Sequence, residues 1–110
     1  MVRGECVRLR SPREARGGVQ TGERYGVIVQ SDLMNLNRTV LVVPTSSSAR
    51  PASFRPRLEF PDGPTYALTE QTRAVDRESV GEPIGRLSAS EILAMEQALK
   101  LVLGLVGYSA

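Results

Sequence analysis

Arg24 stands at the head of an apolar run, Tyr25-Gly26-Val27-Ile28-Val29, and Thr45-Ser46-Ser47-Ser48 closes another, Val42-Val43-Pro44. Each reads as a strand with a polar, chemically useful residue at its edge. A third segment, Leu68-Thr69-Glu70-Gln71-Thr72-Arg73, adds an amide and a second guanidinium. An arginine offers a fixed charge and parallel donors that match a phosphate. A hydroxyl is a small, rotatable donor or acceptor. If the two strands lie side by side, such groups face one groove and can stabilise negative charge on a phosphate, often the largest part of an enzymatic acceleration. Bland readings stand beside these. Arg24 also suits an exposed strand start, and Thr45 with its serines an ordinary loop. Gln71 suits an interior hydrogen bond, and Arg73 a surface ion pair.

Composition removes many other chemistries. There is no histidine and one cysteine in 110 residues. A Ser-His-Asp triad, a His-pair nuclease, a His/Cys zinc site and an intramolecular disulfide are all excluded. Catalysis must use arginine, carboxylates, hydroxyls or amides, and neither a metal nor a cofactor is expected. Basic charge is almost all arginine, thirteen Arg against one Lys. Residues 1–57 carry ten Arg and four acids, while residues 58–110 carry four basic groups and eight acids. A basic half fits a nucleic-acid binder, although an arginine-rich solvated surface gives the same count.

The elements that must position these residues belong to a single domain. Gly4 to Arg10 reads as a short strand with Val7 and Leu9 on one face, and Cys6 as an apolar-like core residue. Residues 11–22 form a long loop in which Arg13 and Arg16 can reach a phosphate. Strands are expected at 25–30, 39–44, 54–60, 65–70 and 84–87, with a turn at Pro61-Asp62-Gly63-Pro64. Ser31 to Asn37 reads as a turn or a single helical turn, which Ser31 or Asp32 could cap. Ser88-Ala89-Ser90-Glu91 fits a capping box. Ile92, Met95, Leu99, Val102 and Val106 then recur at helical spacing as a core-facing stripe, with Gly104 or Gly107 as the stop. The expected fold is mainly β with α, a small antiparallel barrel followed by one C-terminal helix. The charged N-terminus lacks a signal-peptide pattern, and no apolar run approaches the roughly 20 residues of a membrane span, so a cytoplasmic protein is expected.

The ordered set Arg3-Gly4-Glu5, Glu23-Arg24-Tyr25-Gly26, Val43-Pro44-Thr45-Ser46 and Leu68-Thr69-Glu70-Gln71 resembles the MazF/PemK toxins, small endoribonucleases of toxin–antitoxin pairs, over about residues 3–105. The resemblance implies an SH3-like barrel of the MazF/CcdB type, usually a homodimer. It implies metal-independent cleavage of single-stranded RNA, by 2′-hydroxyl attack, with Arg24 and Thr45 as catalytic residues. Ser46, Ser47, Gln71, Arg73, Arg13 and Arg16 are then candidate RNA contacts, and a MazE-like antitoxin is the expected partner. Glu23 and Glu70 are candidates for a general base. The chain departs from many relatives in having Cys6-Val7, rather than an aromatic, after Arg3-Gly4-Glu5. Aromatics are only 5% of residues, which leaves few rings for bases to stack on. Two alternatives on the same fold remain open: a CcdB-like gyrase poison, kept in view by Tyr108, and a family member with weakened activity.

Overall fold

The computed structural model describes residues 1–10, 24–34 and 38–105. Among the described residues, seven strands and one α-helix follow in order: β1 (Glu5–Leu9), β2 (Arg24–Ile28), β3 (Thr39–Ser46), β4 (Arg57–Phe60), β5 (Gly63–Ala67), β6 (Arg73–Asp76), β7 (Val80–Arg86) and α1 (Ala89–Leu103). They form a curled antiparallel sheet in the order β4-β5-β3-β2-β1-β7, with β6 paired to β3 beside that path. The helix lies against one face, as a mainly β barrel-like fold with a C-terminal helix requires.

The uninterrupted apolar runs follow from burial on both faces, because successive strand side chains point opposite ways. Cys6, Val27 and Val43 enter one cluster with Leu58, Phe60, Leu87 and the helix residue Met95. Their neighbours Val7, Ile28 and Val42 enter the other, with Leu9 and Val40. Burial of Cys6, with a smaller contribution from Glu91, pushes its thiol up to about 11. It therefore stays protonated and packs as a small apolar residue.

The helix starts where the capping box predicts. The backbone N–H of Glu91 donates to Ser88 Oγ at 3.1 Å. The Ser88 N–H donates back to Glu91 Oε1 at 2.9 Å. The other oxygen, Glu91 Oε2, accepts from the Glu59 N–H at 2.8 Å and so ties the helix start to β4. Burial raises the Glu91 carboxyl, but these backbone donors outweigh it and hold it below its ordinary value. Gly104 ends the helix in the left-handed region at φ +67°. Ile92, Met95 and Leu99 pack inward as the stripe predicts. Val102 is 36% exposed, so the stripe leaves the core one turn early. Val106 and Gly107 lie outside the described residues.

Three strand expectations need correction. β3 runs two residues further than 39–44, so Thr45 and Ser46 are strand residues. The strand expected over 54–60 forms only at Arg57–Phe60, because the Arg55 N–H closes a tight turn onto the Ala52 carbonyl at 2.9 Å. The strand expected over 65–70 instead spans Gly63–Ala67 and gives way to a 3-10 turn, Thr69–Gln71. Around Ser31 the expected turn forms, with the Leu33 N–H donating to Ser31 Oγ and the Met34 N–H to the Ser31 carbonyl, both at 3.1 Å, while residues 35–37 lie outside the described residues. Two strands also exceed the sequence reading: β6, which has only four residues and little alternation, and the first half of β7.

β2 and β3 approach closely at Gly26. A Cβ there would lie 2.9 Å from Leu9 Cδ1 and 3.0 Å from the Val43 carbonyl oxygen. Gly26→Ala should therefore destabilise the fold by about 1–3 kcal/mol, as overpacking does. Denaturant unfolding measures this, and an unchanged midpoint would contradict the close approach.

Candidate functional site

The site is built where β3 changes partners. On one edge β3 pairs with β2 through Gly26↔Pro44, Val27↔Val43 and Ile28↔Val42. Its other edge is divided. Thr39 to Val42 pair with β6, ending at Val42↔Arg73. Thr45 and Ser46 pair with β5, at Ala67 and Tyr66. Between the two pairings the register jumps by three residues, the length of the 3-10 turn Thr69–Gln71. Pro44 sits at the jump; it has no N–H to place, and its carbonyl accepts from the Leu68 N–H at 2.9 Å. The extruded turn carries Gln71, and β6 begins with Arg73.

A cleft of about 490 Å³ opens beside this junction. It gathers Arg24, Thr45, Ser46, Ser47, Gln71 and Arg73, the six expected site residues that fall within the described residues. Arg13 and Arg16 lie outside them, as do Glu23 and Tyr108. The Gly26↔Pro44 pair, continued outward along the strands, sets Tyr25 against Thr45 and Arg24 against Ser46. Accordingly Thr45 Oγ1 donates to the Tyr25 carbonyl at 3.3 Å. Strand alternation then places Arg24 on the same face as Ser46, so the hydroxyl nearest Arg24 in register belongs to Ser46. Ser46 Oγ lies 3.3 Å from Ser48 Oγ. These short hydroxyls at a strand end can turn toward an anion without breaking the sheet.

Arg24 and Arg73 are both exposed at strand starts. Neither has an ion pair with a described residue. Their donors therefore stay available to an anionic ligand. Glu70 differs. Arg55 Nε and Nη2 both donate to Glu70 Oε2, at 3.0 and 2.5 Å. The Arg55 hydrogen bond is the main cause holding the Glu70 carboxyl below its ordinary value. Glu70 is also absent from the cleft lining. Its geometry suits a clamp better than a proton acceptor. Arg55 Nη1 also bonds the Arg50 carbonyl at 3.1 Å, and Thr69 Oγ1 bonds the Phe54 carbonyl. The 50–55 segment is thereby tied to the turn that carries Gln71.

Asp62, in the two-residue turn between β4 and β5, lines the cleft and went unremarked as a site residue in the sequence, whereas Tyr25, also in the lining, is one of the few rings a base could stack on. Pro61-Asp62-Gly63-Pro64 signals a turn, but nothing local says which groove that turn overhangs. Among the described residues no group of three His, Cys, Asp or Glu side chains is arranged to hold a metal ion.

Comparison with known proteins agrees with this architecture. The family model described as PemK-like, MazF-like toxin of type II toxin-antitoxin system matches residues 3–103. A Mycobacterium tuberculosis protein named as a toxin is 37% identical over 106 residues, covering 96% of this chain and 99% of its own. Endoribonuclease MazF9 of the same organism is 34% identical over 102 residues, covering 83% of this chain and 86% of its own. A solved endoribonuclease from a mycobacterial species, in complex with its cognate antitoxin, superposes with TM-score 0.77 at 18% identity, over 98% of this chain and 99% of that one. On the match over residues 3–103 and these relatives, the chain belongs to the PemK/MazF-like toxins of type II toxin–antitoxin systems.

Proposed function

We propose that the chain is a sequence-specific endoribonuclease that cuts single-stranded RNA without a metal, in the cytoplasm, and is held in check by a cognate antitoxin. One observation carries the reading: Arg24 and Thr45 line a single cleft, and the Arg24 guanidinium has no ion-pair partner among the described residues. The relatives named endoribonucleases supply the reaction class.

RNA brings its own nucleophile, the ribose 2′-hydroxyl. The protein must align that oxygen with the phosphorus, stabilise added charge on the phosphoryl oxygens, and help the 5′-oxygen leave. Arg24 takes the phosphoryl charge. Its guanidinium keeps its proton at neutral pH, so its role is electrostatic. The Thr45 hydroxyl contacts the scissile phosphate or the 2′-oxygen. Ser46, Ser47, Gln71 and Arg73 hold the flanking backbone. The products are a 2′,3′-cyclic phosphate and a 5′-hydroxyl. The proposed antitoxin brings an acidic segment that folds over the same basic cleft; an antitoxin partner is in keeping with the mycobacterial endoribonuclease in complex with its cognate antitoxin. The second copy of a homodimer covers the C-terminal end of α1 and the residues just after it, where Leu101, Leu103 and Leu105 are 48%, 59% and 69% exposed.

Two measurements test this. A single 2′-deoxy substitution on the 5′ side of a mapped cut should abolish cleavage there while other sites in the same RNA are still cut. Undiminished cleavage at the substituted site contradicts 2′-hydroxyl attack. Light scattering at micromolar concentration should give twice the 12.0 kDa chain mass. A monomer mass contradicts the dimer.

A further inference from the structure

The cleft has opposite charges at different places on its wall. Arg24 and Arg73 are cationic, and Asp62 is its only carboxylate among the described residues. Asp62 is held there by a short hairpin, in which Phe60 pairs with Gly63 across a two-residue turn. Gly63 takes φ +125°, a backbone conformation that side chains disfavour, so the turn geometry is tightly specified. The Tyr25 ring meets Phe60 edge-on, with centroids 6.2 Å apart, and its hydroxyl reaches Asp62 Oδ2 at 3.5 Å. That long contact is the one polar partner of the Asp62 side chain among the described residues. A carboxylate has room for about four hydrogen bonds, so most of the accepting capacity of this exposed, cleft-lining group is unused among the described residues.

We propose that Asp62 is a specificity-determining residue that reads guanine next to the scissile phosphate. This inference rests on the ribonuclease reading above. A carboxylate repels a phosphate, so the RNA backbone must lie toward Arg24 and Arg73, leaving Asp62 to meet a base edge. Single-stranded bases are read on their Watson–Crick edges, which are free. Guanine alone presents two adjacent donors there, N1–H and the N2 amino group, and these match the two oxygens of a carboxylate. Adenine and cytosine place a ring-nitrogen acceptor beside their amino group, which opposes one carboxylate oxygen. Uracil flanks its single N–H with two carbonyls.

The test is binding of uncleavable 2′-fluoro oligouridine heptamers that carry one central guanosine, inosine or adenosine. Inosine keeps N1–H and lacks only the N2 amino group. The unmodified protein should bind the guanosine heptamer about tenfold more tightly than the other two, the scale of one bidentate base contact, and Asp62→Asn should shrink the ratio to about twofold or less. Equal binding of all three heptamers by the unmodified protein overturns the assignment. So does an Asp62→Asn protein that keeps the full ratio. Cleavage of ordinary single-stranded RNA is assayed in parallel. Cleavage without guanine discrimination overturns the base assignment alone, whereas neither cleavage nor binding overturns the ribonuclease reading with it.

Discussion

The divided edge of β3 is the constraint on which the rest depends. An antiparallel strand normally gives each edge to one neighbour. Here the edge opposite β2 serves β6 over Thr39 to Val42 and β5 over Thr45 and Ser46. The chain that links β5 to β6 must therefore leave the sheet and return to it within a few residues. The three-residue 3-10 turn is the local solution, and Pro44 is tolerated in a central strand because the changeover asks for no N–H there. The consequence is a cleft at a strand junction with backbone hydrogen bonds satisfied around it.

That junction explains how residues from four parts of the sequence meet. Arg24 arrives on the strand beside β3, Thr45 and Ser46 on β3 itself, Gln71 on the extruded turn, and Arg73 at the return. The walls are fixed by contacts outside the cleft. Arg55 grips Glu70 and the Arg50 carbonyl, and Thr69 grips the Phe54 carbonyl. A cleft with two guanidiniums and several hydroxyls, held this way, suits the proposed stabilisation of charge on a phosphate. The exposed leucines of α1 lie outside this cluster, where the proposed second copy would pack.

Much of this was legible in the sequence. The runs Val27-Ile28 and Val42-Val43 announce strands buried on both faces, and Ser88 with Glu91 announces the helix start, because each signal is local. The grouping of Arg24 with Thr45 was legible through the family resemblance. β6 was not, since Arg73-Ala74-Val75-Asp76 is held by pairing with β3 and has little alternation of its own. Glu70 looked like a free carboxylate because its partner Arg55 is fifteen residues away. Asp62 looked like turn chemistry alone, since its place over the cleft depends on where the β4–β5 hairpin folds.

The central claim is that the Arg24 guanidinium in this cleft drives metal-independent RNA cleavage. The most direct measurement incubates the protein with long single-stranded RNA in EDTA, beside Arg24→Ala, and maps the cut ends. The account predicts discrete cuts with 5′-hydroxyl ends by the unmodified protein, and a loss of at least about a hundredfold in rate for Arg24→Ala, the scale of removing one key charge-stabilising group. Cleavage that vanishes in EDTA, or that Arg24→Ala performs equally well, would contradict it.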